Sequence, residues 1–94
     1  MSYSELMDWQ SVFEDVNCVR ALLYLAKYNP NTQTMDLQKT LSLNSNELDV
    51  VLNKLINAKL VFFKDDSLTL KDSALIALDN FVNLTGLTKK AVLA

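Results

Sequence analysis

The chain of 94 residues contains no histidine, one cysteine, one glycine and one proline. Each shortage excludes a class of chemistry. Without histidine there is no Ser-His-Asp triad, no Cys-His pair and none of the common zinc sites. A single cysteine forms no internal disulfide. A single glycine builds neither a GxGxxG fingerprint nor a P-loop. Long apolar runs are missing as well: the longest, Ala21 to Ala26, has six residues, against the roughly 20 that span a bilayer. The first eight residues carry acids and no basic stretch, so they do not read as a signal peptide. The acid pairs Glu14-Asp15 and Asp65-Asp66 are sequence neighbours; on a helix neighbours do not face each other, so Glu14 and Asp15 are not expected to form a catalytic dyad. The expectation is a cytoplasmic protein with no membrane association. The same shortages lead to the expectation that it is not an enzyme, with no catalytic residues, metal or cofactor.

Hydrophobic residues make up 50% of the chain and charged residues 21%. That is enough apolar side chain to offset the entropy of ordering, and the length suits one domain, 1–94, with a modest core. The strongest period runs over 11–28 and stops at Asn29-Pro30-Asn31, where proline disfavours helix in the residue before it. Val12, Val16, Val19, Leu22, Leu23 and Ala26 recur at three- and four-residue spacing on one face. Cys18, Ala21 and Leu25 form a second stripe. Twelve of the 17 residues from Val12 to Tyr28 are apolar or aromatic, more than a surface helix needs, so burial on a second side is expected. In so small a domain the expected second side is a partner subunit.

Beyond Pro30, Asn31-Thr32-Gln33 reads as a connection. Thr34 suits the N-cap of a short helix, 35–41, with Asp36 in its first turn. Ser42-Leu43-Asn44 makes a tight turn into a helix over 45–58, capped by either Asn44 or Ser45, and Asn44 and Glu47 have capping-box spacing. Leu48, Val51, Leu52, Leu55 and Ile56 form its core stripe, and Asn46, Asp49, Val50, Asn53 and Asn57 lie opposite. A hairpin is expected over about 60–70, from the β-branched and aromatic Leu60-Val61-Phe62-Phe63 and the alternating Ser67-Leu68-Thr69-Leu70, with Asp65-Asp66 between them. Asp72 or Ser73 then caps a helix to about Leu84, and Gly86 sits where a helix stop is expected.

The expected fold is mainly α with a small β-hairpin: helix, short helix, tight turn, helix, wing, C-terminal helix. Residues 41–48, Leu-Ser-Leu-Asn-Ser-Asn-Glu-Leu, and 52–61, Leu-Asn-Lys-Leu-Ile-Asn-Ala-Lys-Leu-Val, carry a resemblance. They are similar to the reading helix and first wing strand of winged helix-turn-helix regulators of the ArsR-like and MarR-like group. The likeness covers about 11–84, and Lys59 stands where such proteins often have glycine. The resemblance implies a transcriptional regulator that places helix 45–58 in the major groove of duplex DNA. Asn46, Asn53 and Asn57 would then bond adenine edges, each such pair discriminating by about 1–3 kcal/mol. Ser45, with Thr40 and Ser42, would meet phosphates, and Lys39, Lys54 and Lys64 are the nearest cations. Three asparagines on one face cost some helicity, which favours a use beyond solubility. A homodimer is expected, joined through Cys18, Ala21 and Leu25 and through Leu75, Ile76 and Phe81 of the last helix. The alternative expectation is a winged helix used as a protein-interaction module.

Charge restrains the DNA reading. The net charge is −2. By segment it is −2 over 1–30, zero over 31–43, +1 over 44–64, −3 over 65–80 and +2 over 81–94. The expected reading helix is thus near neutral, and contact to DNA has to rest on polar groups and few cations.

Overall fold

The structure is a computed structural model that describes residues 3–85, with side chains described over 7–80. It is mostly helical with a small antiparallel sheet. The order is α1 (Tyr3–Phe13), α2 (Val16–Lys27), β1 (Asn31–Gln33), α3 (Thr34–Leu41), α4 (Ser45–Asn57), β2 (Val61–Lys64), β3 (Ser67–Leu70) and α5 (Asp72–Thr85). Among the described residues no helix is long and apolar enough to cross a membrane.

The helix expected over 11–28 is two helices. Asp15 is extended, at φ −100° and ψ 112°. Its carboxylate accepts from the N–H of Asn17 at 2.9 Å and of Cys18 at 3.4 Å. It is therefore the N-cap of α2, satisfying amides that lack helical partners. Upstream, α1 extends to Tyr3, well before the expected start at Ser11. The apolar period continues through the break, so periodicity alone does not reveal it.

α2 is the centre of the molecule. It packs against α1, α3, α4 and β3. The chain's own core accounts for Cys18, Ala21, Leu22 and Leu25, all 0% exposed, whereas Val16, Leu23 and Ala26 of the first expected stripe are exposed. Around them close Val12, Leu37, Val51, Leu55, Leu60 and Leu68. Burying leucines of this kind stabilises by about 1.5–3 kcal/mol each.

Asn31-Thr32-Gln33 is a strand, β1, rather than a bare connection. The sheet order is β1-β3-β2. β1 is held by Leu70 N–H on Pro30 O at 2.8 Å and by Thr34 N–H on Asp66 O at 2.9 Å. Thr34 is consequently the first residue of α3 and buried, not its cap; Gln33 takes the cap position with no side-chain bond.

Scarcity of glycine shapes three of the reversals, after α3, after α4 and in the hairpin. Among the described residues, four non-glycine residues have positive φ: Ser42 (56°), Lys59 (60°), Asp65 (53°) and Asp66 (59°). Two of them end helices. After α3, Ser42 N–H bonds Lys39 O and Leu43 N–H bonds Gln38 O. After α4, Lys59 N–H bonds Ile56 O at 3.0 Å and Leu60 N–H bonds Leu55 O at 3.1 Å. Both are Schellman stops, which glycine usually makes. In the second, fully buried Leu55 and Leu60 supply the accompanying apolar contact. The other two form the hairpin turn, left-handed at both central positions as in type I′. α5 begins at Asp72, and Ser73 Oγ donates to Lys59 O at 2.6 Å instead of capping it. Gly86 lies outside the described residues.

Candidate nucleic-acid interface

α3 and α4 are joined by three residues. The asparagine capping box at the start of α4 forms as expected: Glu47 N–H donates to Asn44 Oδ1 at 2.8 Å, and Asn44 N–H donates to Glu47 Oε1 at 3.0 Å. Leu43, in the turn between α3 and α4, is buried and anchors it. Arg20 supports it from α2: Nη2 donates to Leu41 O at 3.1 Å, and Nη1 to Asn17 Oδ1 at 3.3 Å. This arginine, the only one in the chain, closes the C-terminal end of α3, where a cation suits the dipole.

α4 buries Leu48, Val51 and Leu55 and turns the opposite face outward. Asn46, Val50, Asn53 and Asn57 are exposed and follow i, i+4, i+7, i+11, one row down the helix. Among the described residues nothing bonds the three side-chain amides. The row therefore offers three free donor-acceptor groups and one methyl-bearing side chain. Ile56, expected in the core stripe, sits at its margin and is exposed.

The cations divide. Lys39 on α3 and Lys64 at the end of β2 are exposed. Lys54, expected at phosphate, is held back: its Nζ lies 2.9 Å from Asp15 Oδ2. Burial works to raise the Asp15 carboxyl, but the hydrogen bonds from Lys54 and from the Asn17 and Cys18 amides outweigh it and hold the group below its ordinary value. The same bond to Asp15 raises the Lys54 ammonium. Sequence reasoning missed both Asp15 and Arg20. The available signal was an aspartate three residues before a buried cysteine, at N-cap spacing. Acids also lie nearby in sequence: Asp49 on α4 is exposed, and so are Asp65 and Asp66 at the hairpin tip.

Of the residues expected at a dimer face, Cys18, Ala21 and Leu25 have no surface to offer. Leu75 and Ile76 on α5 are exposed. The side chain of Phe81 lies outside the described ones. Burial, and then the neighbouring Asp15 carboxylate, push the Cys18 thiol up to about 12.

A recess of about 290 Å³ is lined by Trp9, Ala58, Lys59, Lys71 and Ser73. Two of its side-chain donors are turned onto the end of α4: Trp9 Nε1 donates to Ala58 O at 3.3 Å, and Ser73 Oγ donates to Lys59 O. Those two bonds close the C-terminal end of α4.

No family model, no curated protein and no solved structure matches the chain.

Proposed function

We propose that the chain is a winged helix-turn-helix domain that binds duplex DNA, with α4 as its reading helix and the β2-β3 hairpin as its wing. The fold assignment is supported by element order, by the three-residue turn between α3 and α4, and by the hairpin directly after α4. The outward row of Asn46, Val50, Asn53 and Asn57, with its amides unengaged, carries the functional reading. Asparagine matches the donor-acceptor edge of adenine in the major groove, and an apolar side chain matches the thymine methyl. Ser45 and the free amides of the α4 N-terminus serve phosphate contact. A regulator of this kind works as a homodimer, placing two α4 helices on half-sites about 34–36 Å apart.

With Lys54 committed to Asp15, Lys39 and Lys64 are the phosphate cations. Two such contacts per protomer, four per dimer, give a slope of log affinity on log salt of roughly −3.6. Selection from a random duplex pool, followed by fluorescence anisotropy between about 50 and 200 mM salt, tests the reading. An enriched A·T-containing site with that shallow slope is expected. The double variant Asn53→Ala, Asn57→Ala should lose the preference while its circular dichroism stays unchanged. No enrichment, together with no binding at the lowest salt, overturns it.

A second reading, a winged helix that binds protein, is favoured by the exposed carboxylates of Asp49, Asp65 and Asp66, which repel phosphate. It predicts no DNA affinity at any salt.

A further inference from the structure

The dimer needs a surface, and the α2 stripe is closed inside the core. The sheet offers another. In the order β1-β3-β2 both outer strands have an open edge, and the two edges differ. β1 has three residues, is preceded by Pro30 and exposes polar Asn31 and Gln33; short, polar, proline-flanked strands are how sheets blunt an edge. β2 is Val-Phe-Phe-Lys, with Phe62 60% and Phe63 44% exposed.

The direction of the main-chain groups of β2 follows from its pairing with β3. Lys71 N–H bonds Leu60 O at 3.0 Å, and the register pairs Phe62 with Thr69 and Lys64 with Ser67. Hydrogen-bonded pairs alternate along an antiparallel ladder, so Leu60, Phe62 and Lys64 face β3. The N–H and C=O groups of Val61 and Phe63 therefore point out of the sheet. Among the described residues none of these four groups has a partner.

We propose that two copies of the chain pair antiparallel along β2, about a two-fold axis at Phe62. In this register Val61 of each copy exchanges both main-chain bonds with Phe63 of the other, so all four outward groups per strand are satisfied. Phe62 meets its own counterpart in a non-hydrogen-bonded pair, where side chains approach most closely. The register is the one that uses every outward group without reaching into the Asp65-Asp66 turn. It sets Lys64 opposite Leu60 and brings no two acids together. The product is a six-stranded sheet whose remaining edges are the blunted β1 strands, so assembly closes at two. Lys71, with Nζ 4.3 Å from the Phe62 ring centroid, lies beside the aromatic pair in each copy. Salt screens the repulsion between the two ammoniums, so dimerisation strengthens as salt rises, opposite in sign to DNA binding.

The proposal deepens the homodimer part of the DNA reading but stands or falls on mass, not on DNA. Sedimentation of the full chain up to about 1 mM, because so small an interface is weak, should show a shift toward twice 10.6 kDa. Phe62→Lys should remain monomeric with an unchanged fold, since the side chain is exposed. Phe62→Cys should oxidise to a covalent dimer across the axis, whereas Thr69→Cys, on the central strand, should not. Amide exchange at Val61 and Phe63 should slow as concentration rises, while Phe62 is already protected when dilute. A chain that stays monomeric, or a dimer untouched by Phe62→Lys and without slowed exchange at Val61 and Phe63, overturns the proposal. DNA binding by a monomer would leave the function standing and remove this interface alone.

Discussion

The carboxylate of Asp15 performs two tasks: it caps α2 through two backbone amides and holds Lys54 of α4 at 2.9 Å. One side chain therefore fixes where α2 begins and how α4 lies against it. Asp15→Ala removes both and should destabilise by about 1–2 kcal/mol in urea unfolding, since a lost N-cap alone costs roughly 1. Asp15→Asn keeps a capping oxygen and loses only the ion pair, so its cost should stay below about 1 kcal/mol. Equal losses in the two variants would mean the ion pair, not the cap, carries the effect.

The same group sets the acid limb of stability. Its folded pKa is depressed, so its contribution is present above the ordinary value of 3.8 and is lost as pH falls through the lower folded value. Urea midpoints of the wild type should therefore fall more steeply below pH 3.8 than those of Asp15→Asn. The alkaline limb has the opposite sign. Lys54 is raised from 10.5 and Cys18 from 9.0 to about 12. Stability from both is complete below those ordinary values and declines as pH climbs through the folded ones.

Cys18 has no exposed surface and a thiol that stays protonated near neutrality. The thiolate is the reactive form. A chromogenic disulfide reagent at pH 8 should leave the native protein unlabelled and react fully in denaturant. Rapid labelling of the folded protein would contradict the placement of Cys18 at the centre of α2.

Thr32 is 3% exposed and its hydroxyl has no hydrogen-bond partner. It pairs with Leu68 across β1 and β3, on the face that holds the core. A buried hydroxyl left unsatisfied costs about 1–3 kcal/mol. Thr32→Val keeps the shape and removes the oxygen, so thermal unfolding should show stabilisation of about 1 kcal/mol. A destabilised variant would show that the hydroxyl finds a partner in solution.

Lys59 holds a left-handed conformation that costs a non-glycine residue about 1–2 kcal/mol. Lys59→Gly should stabilise, and Lys59→Val should destabilise, because a β-branched side chain suits that conformation worst. At the hairpin, Asp65→Asn with Asp66→Gly gives the preferred type I′ pair. That double variant should unfold at higher temperature. If the DNA reading holds, it should also bind duplex more tightly, having lost two negative charges.

Much of the backbone was readable because its signals are local. Pro30 acts through the sterics of its ring and its missing N–H, the Asn44/Glu47 box through hydrogen bonds within one turn, and Ser67–Leu70 through a polar-apolar alternation that marks a strand. α1, the break at Asp15 and β1 were not. An N-cap inside an unbroken apolar period looks like one surface acid among others. A three-residue polar strand has no pattern of its own and exists because the open side of β3 satisfies its main-chain groups. The candidate site divides the same way. The row of Asn46, Asn53 and Asn57 follows from helical spacing, but the withdrawal of Lys54 required knowing that Asp15, 39 positions earlier, lies beside it.

By itself the sequence determined which chemistries are excluded, where α3, α4 and the hairpin lie, and which face of α4 is polar. All of these depend on composition or on contacts within one or two helical turns. Only the tertiary structure decided what covers that excess of apolar residues in α2, which lysines remain free and which edge of the sheet stays open. Burial and ion pairing join residues far apart in the chain, and a period of 3.6 says which residues share a face but not what that face meets.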